Sequence, residues 1–482
     1  MSKKRRAIVW FRQDLRLHDN VALLEAIHSA IEVIPVYVFD ERFFGIDTDL
    51  GFPKTGPHRT KFILESVADL RKNLRRINGQ LIVRVGKTED ILFNIAEQAK
   101  SGWIFCNRER TPLEVSIQDN LEQRLWSIGQ EMRYSRGKML YHTADLPFPI
   151  QHVPDSFAQF RKETERYVGV REPLPEPDSS LAQLTIDVDP GEIPSMADFG
   201  FDDYQQDPRG YLRHEGGETA GLERMRYYFR ETEAVESYRD TRNELAGDLF
   251  STKLSPWLAY GCLSPKTVYK ELKTYEDAHG GSKSTHELFY YLLLRDHHRF
   301  MAKKYGDLFF EETGIQGSYQ NDWSDDYHAF HKWVNGETGV PLVDAAMVEL
   351  YQTGYLSNRA RQNVASYLIN DLQVNWQFGA SYFESMLIDY DVTSNWGNWN
   401  QLAGVGSEVR DDRYLNIEAQ AMRYDPQGTY VKKWLPQFKK MPGDKIHQIH
   451  RLSPDEVVSY GLDPNGPYIP RERERGDHRV PY

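Results

Sequence analysis

Cysteine is almost missing: the 482-residue chain holds two, Cys106 and Cys262. Two thiols cannot build a disulfide framework, nor an iron–sulfur cluster, which takes about four thiolates. Both sit in apolar contexts and read as buried thiols, which suits a reducing, cytoplasmic setting. Long apolar runs are missing as well. No stretch approaches the ~18 residues that argue for a membrane span. The basic start, residues 1–6, is followed by too short an apolar run for a signal peptide. Positive charge is not in excess, because 59 Lys and Arg face 71 Asp and Glu for a net charge of -12. That excludes a general polyanion binder and confines any nucleic-acid site to a local basic patch. No strong internal repeat or low-complexity tract is evident, and no metal site is expected.

Aromatic residues, by contrast, make up 13% of the chain, with 10 Trp and 28 Tyr. Many rings usually mean packing, but they also permit stacking sites and electron relays. The apolar share of 40% and the charged share of 27% are those of an ordinary globular protein. The length allows two or three domains with real cores.

Short apolar or β-branched runs at 7–11, 33–39, 81–85 and 103–106 alternate with helical patterns at 21–29, 59–76, 89–98 and 115–129. This alternation predicts an α/β, doubly wound parallel sheet over residues 1–137. Ligands in such sheets bind beyond the carboxyl ends of the strands. The segment after the first strand lies at that edge but carries no G-x-G-x-x-G, so a dinucleotide fingerprint is absent. For its Arg12, Asp14 and Arg16 a structural loop ion pair stands against ligand contact, and for Asp14 at least the ion pair is expected. Residues 138–216, rich in Pro, Asp and Glu with one helical piece at 155–167, read as a connector. From 217 to 462 helical periods dominate and predict an all-α domain. Residues 463–482 form a charged tail.

Within the helical part, residues 387–406, LIDYDVTSNWGNWNQLAGVG, stand out. On a helix Asp391, Asn395 and Trp399 fall at i, i+4, i+8 on one face. A carboxylate, a carboxamide and an indole make a poor core stripe, since the polar groups need partners. They suit a flat heterocycle with donor and acceptor edges, such as a flavin. The run 250–257, FSTKLSPW, has helix-start chemistry: Ser255 as N-cap, Pro256 at N1, and Ser251, Thr252 and Lys253 beside them as an anion site. A helix at 340–350 should end at Gly354, with Ser357 capping the next. There Asn358 and Arg361 share a face while Arg359 points elsewhere.

Residues 389–400, DYDVTSNWGNWN, with AGVG after them, resemble the photolyase/cryptochrome family, specifically its cryptochrome-DASH branch. The opening run 10–20, WFRQDLRLHDN, resembles the same family, and the similarity extends through motifs near 240–265, 341–363 and 386–416. The resemblance implies an α/β antenna domain plus a helical FAD-binding domain, blue-light-driven electron transfer to cyclobutane pyrimidine dimers, single-stranded or damaged DNA as partner, and a monomer. It implies FAD contacts at Tyr238, Ser251, Thr252, Lys253, Leu254, Ser255, Arg295, Asn358, Arg361, Asp389, Asp391 and Asn395, with Arg361 pairing Asp389. Asp391 would accept from the flavin N3–H, and Asn395 would sit beside N5. A carboxylate there would repel an anionic reduced flavin, whereas a neutral amide favours it. Trp399, Trp376 and Trp323 match the family's electron relay, and Arg242, Arg359 and Arg413 its phosphate contacts. An antenna, 5,10-methenyltetrahydrofolate, would meet Glu109.

The chain departs from the family at the lesion pocket. Tyr291 stands where an acid is usual, Leu294 where a stacking Trp is usual, and Gln401 where an aromatic is usual, so both aromatic walls are expected to be lost. His297 and His298 replace typical aromatics and read as ordinary core or surface histidines, with a proton source as the alternative. The alternative function is a blue-light receptor with little or no repair.

Overall fold

The computed structural model describes residues 5–46, 50–177, 180–182, 185, 187–202, 204–317, 323–408 and 414–469. Five strands, β1 (Ala7–Phe11), β2 (Val33–Asp40), β3 (Ile82–Gly86), β4 (Trp103–Asn107) and β5 (Glu131–Ser135), form one parallel sheet in the order β3-β2-β1-β4-β5. Ala7 of β1 pairs with Val33 on one side and Trp103 on the other. Every residue of β1 and β2 is buried, which is why both read as unbroken apolar runs: helices cover both faces of the sheet. The crossovers are the helices Val21–Ser29, Pro57–Arg76, Thr88–Ala99 and Pro112–Ser127. β5, EMRYS, is invisible to an apolar-run criterion. It is an edge strand with Glu131 and Arg133 exposed and Met132 and Ser135 buried, and polar residues protect such an edge from further pairing.

The strand order reverses between β1 and β4, and the loops after those strands meet there. Asn107 Nδ2 donates to Asp14 Oδ2 at 2.5 Å, and the Arg12 amide donates to Asp14 Oδ1 at 2.7 Å. Arg16 donates to four carbonyls, those of His18, Asp19, Gly137 and Gly261. The loop is structural, but backbone groups and an amide satisfy Asp14 and Arg16 in place of the expected ion pair.

No strand follows β5 among the described residues. The described part of residues 138–216 is anchored by packing. Its Tyr141, Val153, Phe157 and Phe160 form one apolar cluster with Leu293, Phe300 and Met301 of the long helix Lys283–Tyr305. The helical half packs a second core around Trp333, Trp376, Trp399 and Trp434. Cys106 and Cys262 are free and fully buried, and burial pushes each thiol up to about 12. Among the described residues no helix is long and apolar enough to cross a membrane, and no His, Cys, Asp or Glu cluster could hold a metal.

Candidate functional site

The helix Val392–Ala403 begins one residue after Asp391, which serves as its N-cap. Asp391 Oδ1 accepts from the Ser394 amide at 3.0 Å and the Thr393 hydroxyl at 2.8 Å. The stripe survives this shift, because the cap lies just below the first turn. Asp391, Asn395 and Trp399 all line one cavity of about 360 Å³. Asn395 Nδ2 donates to the Ala380 carbonyl at 3.0 Å, which sets the amide's orientation. Trp399 lies edge-on to Phe383, ring centroids 5.2 Å apart, and to Trp333 at 6.5 Å. Gly379 in the neighbouring helix Trp376–Met386 makes room for that indole: a Cβ there would fall 2.3 Å from the ring.

Behind the cavity, Asp391 Oδ2 takes a hydrogen bond from Arg299 and lies 3.7 Å from Arg295. Burial alone would push this carboxyl up, but Arg299 and Arg295 hold it far below the usual carboxylate range. Arg295 itself does not line the cavity. Its guanidinium donates to the carbonyls of Lys138 and Leu258, both at 3.0 Å, so it supports Asp391 instead of reaching a cofactor. Sequence reasoning missed Arg299. The available signal was its spacing, since Tyr291, Arg295 and Arg299 are i, i+4, i+8 on one helix.

Asp389 is held from two sides. Arg361 Nη2 donates to its oxygens at 2.8 and 3.0 Å, the expected pair, and Ser255 Oγ donates at 2.6 Å. Ser255 therefore does not cap its helix. It is the first residue of Ser255–Ala259, and the Asp389 carboxylate draws its hydroxyl across. Ser357 caps Asn358–Ser366 and Gly354 ends Pro341–Thr353 at φ 67°, both as expected.

Tyr238, Ser251, Thr252, Lys253, Leu254 and Ser255 line the cavity together with Asn358 and Arg361. Arg224 ties down the loop by donating to the carbonyls of Asp248 and Thr252. Lys253 adopts a left-handed φ of 52° and is buried. Its ammonium packs among the rings of Phe250 at 4.5 Å, Tyr355 at 5.3 Å and Tyr211 at 5.4 Å. Burial lowers its pKa to about 8. Gln362 Oε1 is buried with no partner among the described residues. A buried cation among rings, two hydroxyls, and polar atoms awaiting partners fit a large anionic, heterocyclic cofactor of the FAD type. The cavity also lies within the ~300–1,000 Å³ typical of such sites.

The Lys253 geometry carries a pH prediction. An anion bound beside the ammonium raises its pKa, so above pH 8 binding must take up a proton. The affinity of apoprotein for FAD is expected to be flat below about pH 8 and to fall above it, by up to about tenfold per unit. Titration by flavin-fluorescence quenching from pH 6.5 to 9.5 tests this. A K253M variant that keeps the same fall removes Lys253 as its cause.

The remaining expected residues lie around this centre. Trp376 is fully buried, donates Nε1–H to the Glu312 carbonyl at 3.0 Å and meets Trp396 edge-on at 5.6 Å. Trp323 is half-buried against the same core. Glu109 lies outside the main cavity, on a smaller one of about 70 Å³, where its carboxylate is ion-paired with the buried Lys138. His297 and His298 are buried core residues. His297 Nε2 donates to the Pro154 carbonyl at 2.9 Å, and burial lowers His298 to about 4. Arg242 lines the cavity and pairs with Glu287 at 2.9 Å, while Arg359 donates to Asn243 Oδ1 at 3.1 Å. Arg413 lies outside the described residues.

Tyr291 lines the cavity and places a ring there, edge-on to Tyr238 at 6.4 Å. Tyr291 thus adds a ring from the acid's usual place, while neither Leu294 nor Gln401 supplies one. Leu294 packs against the connector cluster, and Gln401 lines the cavity without a ring.

Two family models match the chain. "DNA photolyase" covers residues 7–178, and "FAD binding domain of DNA photolyase" covers residues 288–471. The sheet, the helical half and the cavity between Ser251 and Trp399 thus define a protein with a photolyase-type FAD-binding domain. Cryptochrome DASH of Gloeobacter violaceus is 44% identical over 455 residues, covering 94% of this chain and 90% of that one. Cryptochrome DASH of Synechocystis is 44% identical over 456 residues, covering 94% and 92%. The crystal structure of a Synechocystis cryptochrome superposes with a TM-score of 0.92 at 43% identity, over 96% of this chain and 95% of that one. A class III photolyase from Agrobacterium tumefaciens gives 0.82 at 26% identity, over 97% and 94%. The chain belongs to the photolyase/cryptochrome family, and within it to the cryptochrome-DASH branch.

Proposed function

We propose that this protein uses blue light and FAD to split cyclobutane pyrimidine dimers in single-stranded DNA, working as a monomer. The observation that supports this reading most is the shared cavity. Asn395 and Trp399 line the same space as Tyr291 and Arg242, so groups suited to a flavin and groups suited to a nucleotide face one another. Bound FAD would supply the light-excited electron donor. The protein would do the rest. Asp389, Arg361 and Ser255 form a rigid polar wall for the cofactor. Lys253, Ser251 and Thr252 hold its diphosphate end. Asp391, kept ionised by Arg299 and Arg295, accepts a hydrogen bond at the ring edge. Asn395, beside N5 rather than N3, would keep that part of the ring free of negative charge. Tyr291 receives a flipped base, where stacking on a ring contributes ~1–3 kcal/mol. Arg242, Arg359 and Arg413 neutralise phosphates. Trp399, Trp376 and Trp323 carry electrons inward from the surface.

In this reading residues 1–137 are an antenna domain, 138–216 a connector, 217–462 the FAD domain and 463–482 a tail. A folate antenna at Glu109 would have to share that carboxylate with Lys138. A roomier cavity of about 340 Å³, lined by Trp10, Arg12, Phe44, Tyr390 and Trp396, offers a second place for a chromophore. A related protein of Sulfolobus tokodaii, 26% identical with a TM-score of 0.75, is described as an archaeal photolyase with two FAD molecules.

A second reading, a blue-light receptor with little repair, is favoured by Gln401 and Leu294, which give the pocket no second ring. Illumination of the reduced protein with dimer-containing oligonucleotides separates the two. Repair predicts loss of dimers, faster in single strands than in duplexes. No loss in either leaves the receptor reading.

A further inference from the structure

Near Arg242 at the cavity, cations outnumber the acids that face them among the described residues. Among the described residues Arg242 has Glu287, Arg359 has the amide oxygen of Asn243, and Arg423 is exposed at the end of the helix Ile417–Tyr424. Arg359 feels both of the others: burial first, then the Arg242 and Arg423 charges, lowers its pKa. The Nε atoms of Arg242 and Arg359 are buried with no hydrogen-bond partner among the described residues. In a chain of net charge -12 such a cluster is a local exception, and an anion would relieve it.

Rings alternate with these cations. Arg242 lies 5.0 Å from the centre of the Tyr291 ring. Arg359 and Arg423 lie 5.1 and 5.2 Å from the centre of the Tyr424 ring, which is half-buried. Each guanidinium lies within cation–π distance of its ring, over a face that a base could also take. Arg423, being exposed, can rotate from the ring to a phosphate when a base takes its place. A ring of this kind stacks a base only if the base has a free face, as unpaired nucleotides do and those inside a duplex do not.

We propose that Tyr424 is a second base-stacking platform, outside the cavity, for an unpaired nucleotide neighbouring the one that enters past Tyr291, with Arg359 and Arg423 on the phosphates beside it. This deepens the repair reading and rests on its nucleic-acid part. The test is fluorescence anisotropy of the FAD-loaded, full-length protein with a labelled, undamaged oligo-dT strand and with a hairpin duplex, over a series of salt concentrations. Y424L is expected to weaken single-strand binding about tenfold or more. Its duplex binding should stay within about twofold of wild type, with an unchanged salt slope. Y424F, which keeps the ring, should bind as wild type. R423Q should make the salt slope shallower by about 0.7, one phosphate's worth for a single strand. Flavin content and circular dichroism show whether each variant is folded. Wild-type affinity in Y424L, or an equal loss for strand and duplex, overturns the platform while leaving the repair reading standing. A wild type that binds neither probe overturns both.

Discussion

W376F is expected to slow the blue-light reduction of bound oxidised flavin at least tenfold, followed by the loss of flavin absorbance with an external reductant present. Trp376 is fully buried next to Trp396, on a helix that packs against the one carrying Trp399. Phenylalanine fills much of the same space but is far harder to oxidise. In the variant an electron would have to cross from the surface to Trp399 in one long step. The substitution also removes the hydrogen bond to the Glu312 carbonyl and leaves a small cavity, together worth about 1–3 kcal/mol. Flavin content must therefore be measured alongside. A folded, flavin-loaded W376F that photoreduces as fast as wild type removes Trp376 from the relay.

D391N is expected to cost about 3–5 kcal/mol of stability in denaturant unfolding, and to lower flavin occupancy with it. Asparagine is a good N-cap, so the helix start is preserved and the change isolates the charge. What is lost is the carboxylate that neutralises two buried guanidiniums, Arg299 and Arg295, and breaking a buried ion pair by removing one partner is costly in this way. The double variant D391N/R299M should recover part of the loss, because one stranded cation goes too. The folded carboxyl is held low, so its contribution is fully present above the ordinary carboxylate pKa of about 4. It disappears as pH falls toward the folded value. A D391N protein within about 1 kcal/mol of wild type would mean that the site does not depend on this charge.

Much of this site was legible before any coordinates. The stripe Asp391, Asn395 and Trp399 follows from helical spacing alone, and the fold places all three on one cavity. Ser357 and Gly354 were readable as cap and stop because capping is local chemistry. Ser255 was misread for the converse reason: its best acceptor, Asp389, lies 134 positions away and outcompetes the local amide. Arg295 points as helix geometry demands, but the carbonyls of Lys138 and Leu258 claim it. Tyr291 stands where an acid is usual and instead brings a ring to the cavity lining, because the fold turns its face of the helix toward that space.

The order of the residues, taken by itself, determined a parallel sheet followed by helices, the scarcity of thiols, and the short segments rich in cofactor-suited side chains. Each of these depends on periodicity, capping or composition, which act over a few positions along the chain. Only the tertiary structure decided that Arg299 neutralises Asp391, that Lys138 occupies Glu109, and that Lys253 sits among three rings. Those pairings join elements far apart in the chain. Which distant partner satisfies a buried charge is settled by how helices and loops pack, and no local spacing encodes it.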